Sequence, residues 1–477
     1  MNPEVLVVGG GISGLSVAWW LAQRGVPVEV WERAGAPGGV IRTHRAGGYA
    51  METAASLMLN FRPEVAALLA QSGLASRKLS LPGNLPRFVM QRGALARVPM
   101  RAGALACAPF WSCRGRLRLL AEPLVPRGGH EDETASAFIE RRLGREALDK
   151  IFEPFLASTF GCDPDRAQAR AVLPRLAALE DRYGSIAAGV IVRKLRREAA
   201  PAMELFSFEG GMRTLVDALA LAPGVRLRTH CAAVALVRQA GGWHAQGRGT
   251  TGERSVHARH VVLSVPGAEA AALLGPSDPA LAGFIAQIDY APLAVVHLGF
   301  DRAAVASRLD GMGFLAPRAE GGALLGCQWT SGVFSGRAPA GKALLSAYLG
   351  GARAAHIGAW DETRLADAAL RELAPVLGLR GTPETVYVAH HRRALPLYHG
   401  AHLQRVRRIR ERLRLWPGLH LAASYLDGVS TRERIVSGHA GAREICSQLC
   451  QDGAMGWDAR ANAHAPPRRE PAPATTM

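Results

Sequence analysis

The chain runs to 477 residues, 48% of them hydrophobic and 20% charged, with a formal net charge of +17. That length suits two or three domains, and the apolar fraction is that of an ordinary globular protein. Seven scattered cysteines with no C-x-x-C spacing, and 15 histidines with no H-E-x-x-H, argue against a zinc site or a disulfide framework and fit a reducing cytoplasm. The basic charge raises nucleic acid as a partner. The arginine-rich stretches at 114–120, 192–198 and 403–416 lack the aromatic interleaving of a single-strand binding platform, so no nucleic-acid partner is expected.

The first predicted elements carry the strongest signal. The stretch VLVVGGGISGLSVAWWLAQ, Val5 to Gln23, holds no charged residue and has nearly the length of a membrane span. Gly9, Gly10, Gly11 and Gly14 in its middle would weaken a spanning helix, and it follows Glu4 rather than the basic region of a signal peptide. A nucleotide site accounts for every part. Val5 to Val8 reads as a buried parallel strand, Gly9, Gly11 and Gly14 fall in G-x-G-x-x-G register, and a helix runs on to Gly25. These glycines let the backbone turn tightly and approach a pyrophosphate lying on the helix N-terminus. A second strand, Val28 to Trp31, leads to Glu32, a carboxylate placed for the adenosine ribose hydroxyls and against a 2′-phosphate.

Further along, Gly38-Gly39 forms a second glycine pair, Gly47-Gly48 a turn before an extended YAME, and Arg62 to Gly73 a helix. VMQRGALARVP reads as a hairpin around Gly93. Met100 to Pro126 mixes arginines with Leu105, Phe110, Trp111, Leu117, Leu119, Leu120 and Leu124. It is either a surface lying among lipid headgroups or an amphipathic core helix. A helix is predicted from Glu131 to Pro154, opened by acids, and another from Ala177 to Arg197. FEGGMRTLVDALA places a glycine pair before a helix, two strands turn at Gly241-Gly242, and HVVLSVP is a buried strand broken at Pro266. Residues 291–350 read as sheet, and a final strand, a turn at Gly428 and a long helix close the fold near Leu449. The Pro/Ala/Arg-rich remainder, 451–477, has a disordered composition.

At this point the residues resemble a family. The pairing of GGGISGL and VEVWER with GGVIRT, and of a late apolar strand with GV and a closing helix, is similar to the FAD-dependent monoamine-oxidase-like flavoenzymes. FIERRLGREALDKIFEPFLASTFGCDPDRAQARAVLPRLAALEDRYGS, FSFEGGMRTLVDALA, LLGCQWTSGVFSGRAPAGKALLSAYLGGA and RRALPLYHGAHLQRV resemble the oxygen-dependent protoporphyrinogen oxidase family, over about residues 3–448. The resemblance implies an α/β mixed fold in three parts. A discontinuous Rossmann-like FAD-binding domain takes 1–80, 224–275 and 405–449; a mixed-sheet substrate domain takes 81–100, 185–223 and 276–404; a helical domain on the membrane surface takes 101–184. It favours membrane contact for Met100 to Pro126, at the inner face of the cytoplasmic membrane, with anionic lipid drawing the basic charge. It leaves a homodimer open.

The implied reaction removes six hydrogens from a porphyrinogen in three two-electron steps, with FAD carrying hydride and O2 ending as hydrogen peroxide. The cofactor does the hard chemistry, so no catalytic side chain and no metal is required. By position, Gly9, Gly11, Ser13 and Gly14 would hold the pyrophosphate, Glu32 the ribose, Arg33, Gly38 and Gly39 the phosphate and flavin edge, and the backbone of Val234 the adenine. The turn Gly428-Val429-Ser430-Thr431 would face the flavin pyrimidine ring. Leu315, Leu325 and Tyr348 would sandwich the tetrapyrrole, and Arg101 or Arg97 would take a propionate.

Two positions depart from the family pattern. Its E-x-G-P is Glu52-Thr53-Ala54-Ala55 here, and its glycine before the last turn is Ala423. The readings left open are therefore protoporphyrinogen IX oxidation, coproporphyrinogen III oxidation by the same mechanism, another flavin oxidase or desaturase of the superfamily, and a non-catalytic porphyrin-binding flavoprotein.

Overall fold

The computed structural model describes residues 3–99, 102–196, 203–250 and 252–451. Its organising element is a five-stranded parallel sheet in which Val5–Val8 lies at the centre, between Val28–Trp31 and His260–Leu263, with Val225–Arg228 and Leu419–Leu421 at the edges. All four residues of each of the three inner strands are buried, as expected of a sheet covered on both faces. One face carries the helices Ile12–Ala22 and Thr431–Gln451, the other a three-stranded antiparallel sheet built from Cys231–Gln239, Gly242–Gly249 and Gly252–Ala258. The two helices run parallel: Gly438 abuts Ser16, and further along both the His439 ring meets Trp20 at 4.5 Å.

A seven-stranded mixed sheet forms the second unit. Long strands Tyr290–Asp301, Lys342–Gly350 and Thr385–Pro396 pair antiparallel, Leu324–Gln328 and Gly313–Leu315 extend the sheet, and the hairpin Phe88–Gln91/Ala94–Arg97 completes it. One face buries Phe314, Cys327, Ala347 and Val296 under the amphipathic helix Glu362–Leu377. The other face looks toward the parallel sheet.

The third unit is helical. Its interior holds the fully buried Arg142–Glu122 ion pair, and Glu122 also accepts hydrogen bonds from the Ser185 hydroxyl (2.5 Å) and the backbone N–H groups of Ile186 and Ala187. Satisfying every lone pair is what lets such a pair sit in a core. Those bonds tie helix Ile186–Leu195 to this unit, so residues 185–195, expected in the substrate domain, belong with the helices. Likewise the strand Glu204–Phe208 and the helix Arg213–Ala220 bury Phe206, Phe208, Leu215 and Leu219 in the core of the parallel-sheet unit. Apolar periodicity shows that these residues are buried without showing against what.

Two predicted helices are subdivided. Ala177–Arg197 breaks at Gly184, in the left-handed region at φ 74°, into Pro174–Tyr183 and Ile186–Leu195. The 131–154 helix starts at Ala135 instead, capped by the Thr134 hydroxyl, and passes Gly144 into a π turn at Leu148–Phe152. No helix of the described residues is long and apolar enough to cross a membrane.

Candidate active site

The crevice outside the carboxyl ends of the parallel strands is where such a sheet binds ligands, and here it is lined by glycine. Gly9 leaves Val8 at φ 107°, and a Cβ there would strike the Ser264 carbonyl oxygen; one at Gly14 would strike the Gly9 carbonyl. Gly11 faces open space, bridged to Gly38, whose N–H donates to the Gly10 carbonyl at 2.7 Å. Both glycine pairs of the sequence thus meet in one cradle, with room for an anion over the start of helix Ile12–Ala22. Ser13 sits half-buried in the first turn of that helix. Arg33 points outward to Glu269 at 3.5 Å.

Glu32 is nine-tenths buried, one carboxylate oxygen accepting Gly10 N–H and the other Ala34 N–H, each at 2.8 Å. Each oxygen keeps lone pairs for a ribose hydroxyl. Val234 lies at a β-bulge between Ala233 and Ala235, its side chain half exposed and its backbone off the ladder. A bulge is what frees an N–H and a C=O for an adenine edge. At the other end, Gly428 turns at φ 108° and the Ser430 hydroxyl caps the closing helix through Glu433 N–H. Val429 packs against the helical unit. Ala423 is buried in an extended conformation, which needs no glycine. These residues fit FAD from ribose to ring.

The facing surface of the seven-stranded sheet is a grid. One row crosses the strands as Val295, Tyr348, Gly326, Leu315 and Val89; the next as His297, Ser346, Gln328 and Gly313. Gly326 carries no side chain between Leu315 and Tyr348, and the Leu315 side chain lies over it, 3.3 Å from where a Cβ would stand. Leu325 is fully buried at a strand irregularity, outside the row. The grid meets the loop that follows Glu52: Tyr348 Oη reaches Ser56 Oγ at 3.5 Å, His297 Nε2 donates to the Glu52 carbonyl at 2.9 Å, and His391 Nε2 to the Thr53 carbonyl at 2.7 Å. Because a carbonyl only accepts, Nε2 of His297 carries the proton and Nδ1 accepts from Ser346, which in turn accepts from Thr330 at 2.5 Å. Burial pushes His297 down to about 4 and Tyr348 up to about 12, so both are neutral near pH 7.

Beneath the loop, Glu52 and Arg337 form an ion pair at 3.2 Å, both 2% exposed. Burial raises the Glu52 carboxyl pKa, while Arg337, the Met212 N–H (3.0 Å) and the Thr43 hydroxyl (2.9 Å) pull it back. The Thr53 hydroxyl donates to the Val40 carbonyl at 2.6 Å, fastening the loop to the second glycine pair. Ala54 and Ala55 are not among the residues at positive φ, so alanine stands there without strain.

Of the two expected propionate partners, Arg101 lies outside the described residues. Arg97 shares its row with Phe88 and Phe314, the face of the apolar core, and so lies on the face opposite Leu315 and Tyr348. Sequence reasoning missed Arg87. Its carbonyl continues the ladder to Val98 N–H, so by alternation it shares the face of Val89. Among the described residues its Nε has only the Met312 sulfur as acceptor (3.3 Å), and burial lowers its pKa. The alternation of PRFVMQ gave the signal, but not which face met the site.

Fold and cradle define a flavin-dependent oxidoreductase. Residues 12–446 match the family of flavin containing amine oxidoreductases, and the chain belongs to it; its cofactor is FAD. Within the family, the chain is 28% identical to the mitochondrial protoporphyrinogen oxidase of Nicotiana tabacum, with 94% of this chain and 95% of the relative aligned. It is 30% identical to the chloroplastic protoporphyrinogen oxidase of Oryza sativa subsp. japonica (94% and 89%) and 24% identical to the coproporphyrinogen III oxidase of Staphylococcus aureus strain NCTC 8325 (94% and 100%). In fold it is similar to a solved chain from Exiguobacterium sp. 255-15, at TM-score 0.78 and 21% identity (94% and 99%).

Proposed function

We propose that this enzyme oxidises a porphyrinogen, with protoporphyrinogen IX as substrate and O2 as final acceptor. The observation that carries this is the uncharged row of Leu315, Gly326 and Tyr348, with the half-buried Arg87 cation on the same face. An apolar tetrapyrrole edged with propionates needs both. Bound FAD supplies a two-electron acceptor. Each of three steps removes a hydride from a methylene-bridge carbon and a proton from a pyrrole N–H; each O2 takes up two electrons and two protons to give H2O2. The chain's own part is to bind, orient and exclude water. His297 and His391 fix the loop that faces this row, and the neutrality of buried His297 keeps the macrocycle's surroundings uncharged there. Purified protein is expected to generate porphyrin fluorescence from protoporphyrinogen IX above the non-enzymatic rate; an FAD-loaded protein silent on it sinks this reading.

The full-length match to a relative named for coproporphyrinogen III supports a second reading, the same chemistry on a tetracarboxylate. Turnover of the two substrates in parallel ranks them.

We also propose that the helical unit rests on an anionic membrane surface at the inner face of the cytoplasmic membrane. Leu117, Leu120, Leu124, Ile191 and Leu195 are 54–84% exposed, with Arg114, Arg118 and Lys194 among them in sequence. Sedimentation with anionic vesicles that is unchanged by Leu124→Glu with Leu195→Glu would count against it.

A further inference from the structure

A cationic clasp sits at the seam between the helical unit and the parallel-sheet unit. The guanidinium carbon of Arg175 lies 3.8 Å from the centre of the Phe61 ring, and that of Arg432 lies 4.0 Å from it. Two guanidinium groups that close cannot share one face, so the ring is held between them. The two arginines differ in what else they hold. Arg432, in the first turn of the closing helix, gives Nε and Nη2 to Glu433 (2.9 and 2.7 Å) and Nη1 to the Leu59 carbonyl (2.8 Å). Arg175, on helix Pro174–Tyr183, is exposed and makes no hydrogen bond or ion pair among the described residues. Lying flat on the ring, it directs its N–H groups sideways into solvent, the fork that a carboxylate takes with two bonds. The charges it senses are Arg432, Arg62 and Arg193, against Glu433 alone. Glu433 is already taken by Arg432, and Arg62 is paired with Glu64 at 3.1 Å. Stacking on Phe61 fixes the cation and leaves its charge uncancelled.

Position says which anion. Phe61 is five residues past Ser56, whose hydroxyl meets Tyr348, so the clasp stands within about 17 Å of the Tyr348 end of the row. Arg87 belongs to the other end, where Val89 is three strand spacings, or about 14 Å, from Tyr348. The uncharged row therefore has a cation beyond each end. A porphyrinogen with two propionates on adjacent pyrroles occupies one end only, whereas one with four propionates around the ring presents carboxylates to both.

We propose that Arg175, fixed by Phe61 and Arg432, is a second carboxylate site, and that it lets this enzyme take a tetracarboxylate porphyrinogen as well as the dicarboxylate. The assignment rests on the reading of the enzyme as a porphyrinogen oxidase. Arg175 sets specificity by binding and takes no part in the hydride step, so its loss shows in KM and not in kcat.

The test compares FAD-loaded Arg175→Met and Arg175→Lys with wild type in turnover of coproporphyrinogen III and protoporphyrinogen IX, and in fluorescence titration with coproporphyrin III, which needs no turnover. In Arg175→Met the KM for coproporphyrinogen III and the Kd for coproporphyrin III are expected to rise about tenfold, the loss of one charge-assisted contact. The kcat, the flavin content and the KM for protoporphyrinogen IX should hold. Arg175→Lys should recover part of the loss. Arg182→Met removes the same charge from an exposed position on the same helix and should change none of these values. An unchanged Kd in Arg175→Met overturns the proposal, as does an equal rise in KM for both substrates or the same rise in Arg182→Met. Weaker sedimentation with anionic vesicles as the sole effect overturns it too, by assigning the anion to a lipid headgroup. If wild type binds coproporphyrin III through Arg175 yet oxidises neither porphyrinogen, the site stands and the oxidase reading fails.

Discussion

The cradle at Gly9 to Gly14 and the loop at Glu52 to Ser56 lie on the same crevice but are built in different ways. The cradle is backbone: glycines where a Cβ would collide, a strand before them and a helix after, all within about one βαβ unit. The loop is held by side chains that arrive from His297, Arg337 and His391, 245 to 338 residues away for the two histidines. On the proposed reading, one region would hold the cofactor by local geometry, and the other would face the substrate through contacts between separate units of the fold. Damage to the first should remove flavin, and damage to the second should spare flavin while altering stability or turnover.

Gly14→Val breaks the comparison most severely. The added side chain meets the Gly9 carbonyl, so a cost of about 3 kcal/mol or more is expected, roughly a hundredfold in retained flavin. Absorbance of the purified protein measures it directly. Arg337→Met comes next, leaving Glu52 buried without its partner at an expected cost of about 3–5 kcal/mol. Denaturant unfolding of the holoprotein reads this loss, and adding Glu52→Gln should recover much of it.

Acid sharpens the contrast. His297 titrates near 4 when folded, against about 6.5 when unfolded. Between those values the unfolded chain binds a proton that the folded chain refuses, so this contribution is complete above pH ~6.5. It falls away as pH drops toward 4, by about 3 kcal/mol. The buried His402, lowered to about 4, and His420, lowered to about 3, add slopes of the same sign. His297→Gln should flatten the stability-versus-pH curve by one proton's share; an unaltered slope would show that His297 is not buried neutral. Arg87→Ala gives the smallest effect, a KM raised about tenfold for a lost charge-assisted contact, with flavin content unchanged. Steady-state kinetics with protoporphyrinogen IX checks it, and Arg97→Ala serves as the comparison that should leave KM where it was.

The same division explains what could be read in the sequence. The turn through Gly9, Gly11 and Gly14 between a buried strand and a helix was legible because that turn imposes a fixed local spacing. The break at Gly184 was not, since an apolar helical period continues across it and only the left-handed φ interrupts it. The strand and helix at 204–220 looked like substrate domain for a similar reason: a buried face does not name the element that covers it. Arg87 was passed over in favour of Arg97 because telling their faces apart needs the register of Val89 with Leu315; Arg101 lies outside the described residues. The histidines that hold the loop left no sequence signal, as their partners are carbonyl groups.

The central claim is that this flavin oxidises a porphyrinogen, and anaerobic mixing tests it most directly. FAD-loaded protein with protoporphyrinogen IX should lose its oxidised-flavin absorbance as porphyrin fluorescence appears, and recover it when air is admitted. Flavin that stays oxidised with protoporphyrinogen IX and coproporphyrinogen III, yet bleaches with an amine, would contradict the account and return the enzyme to the amine-oxidising side of its family.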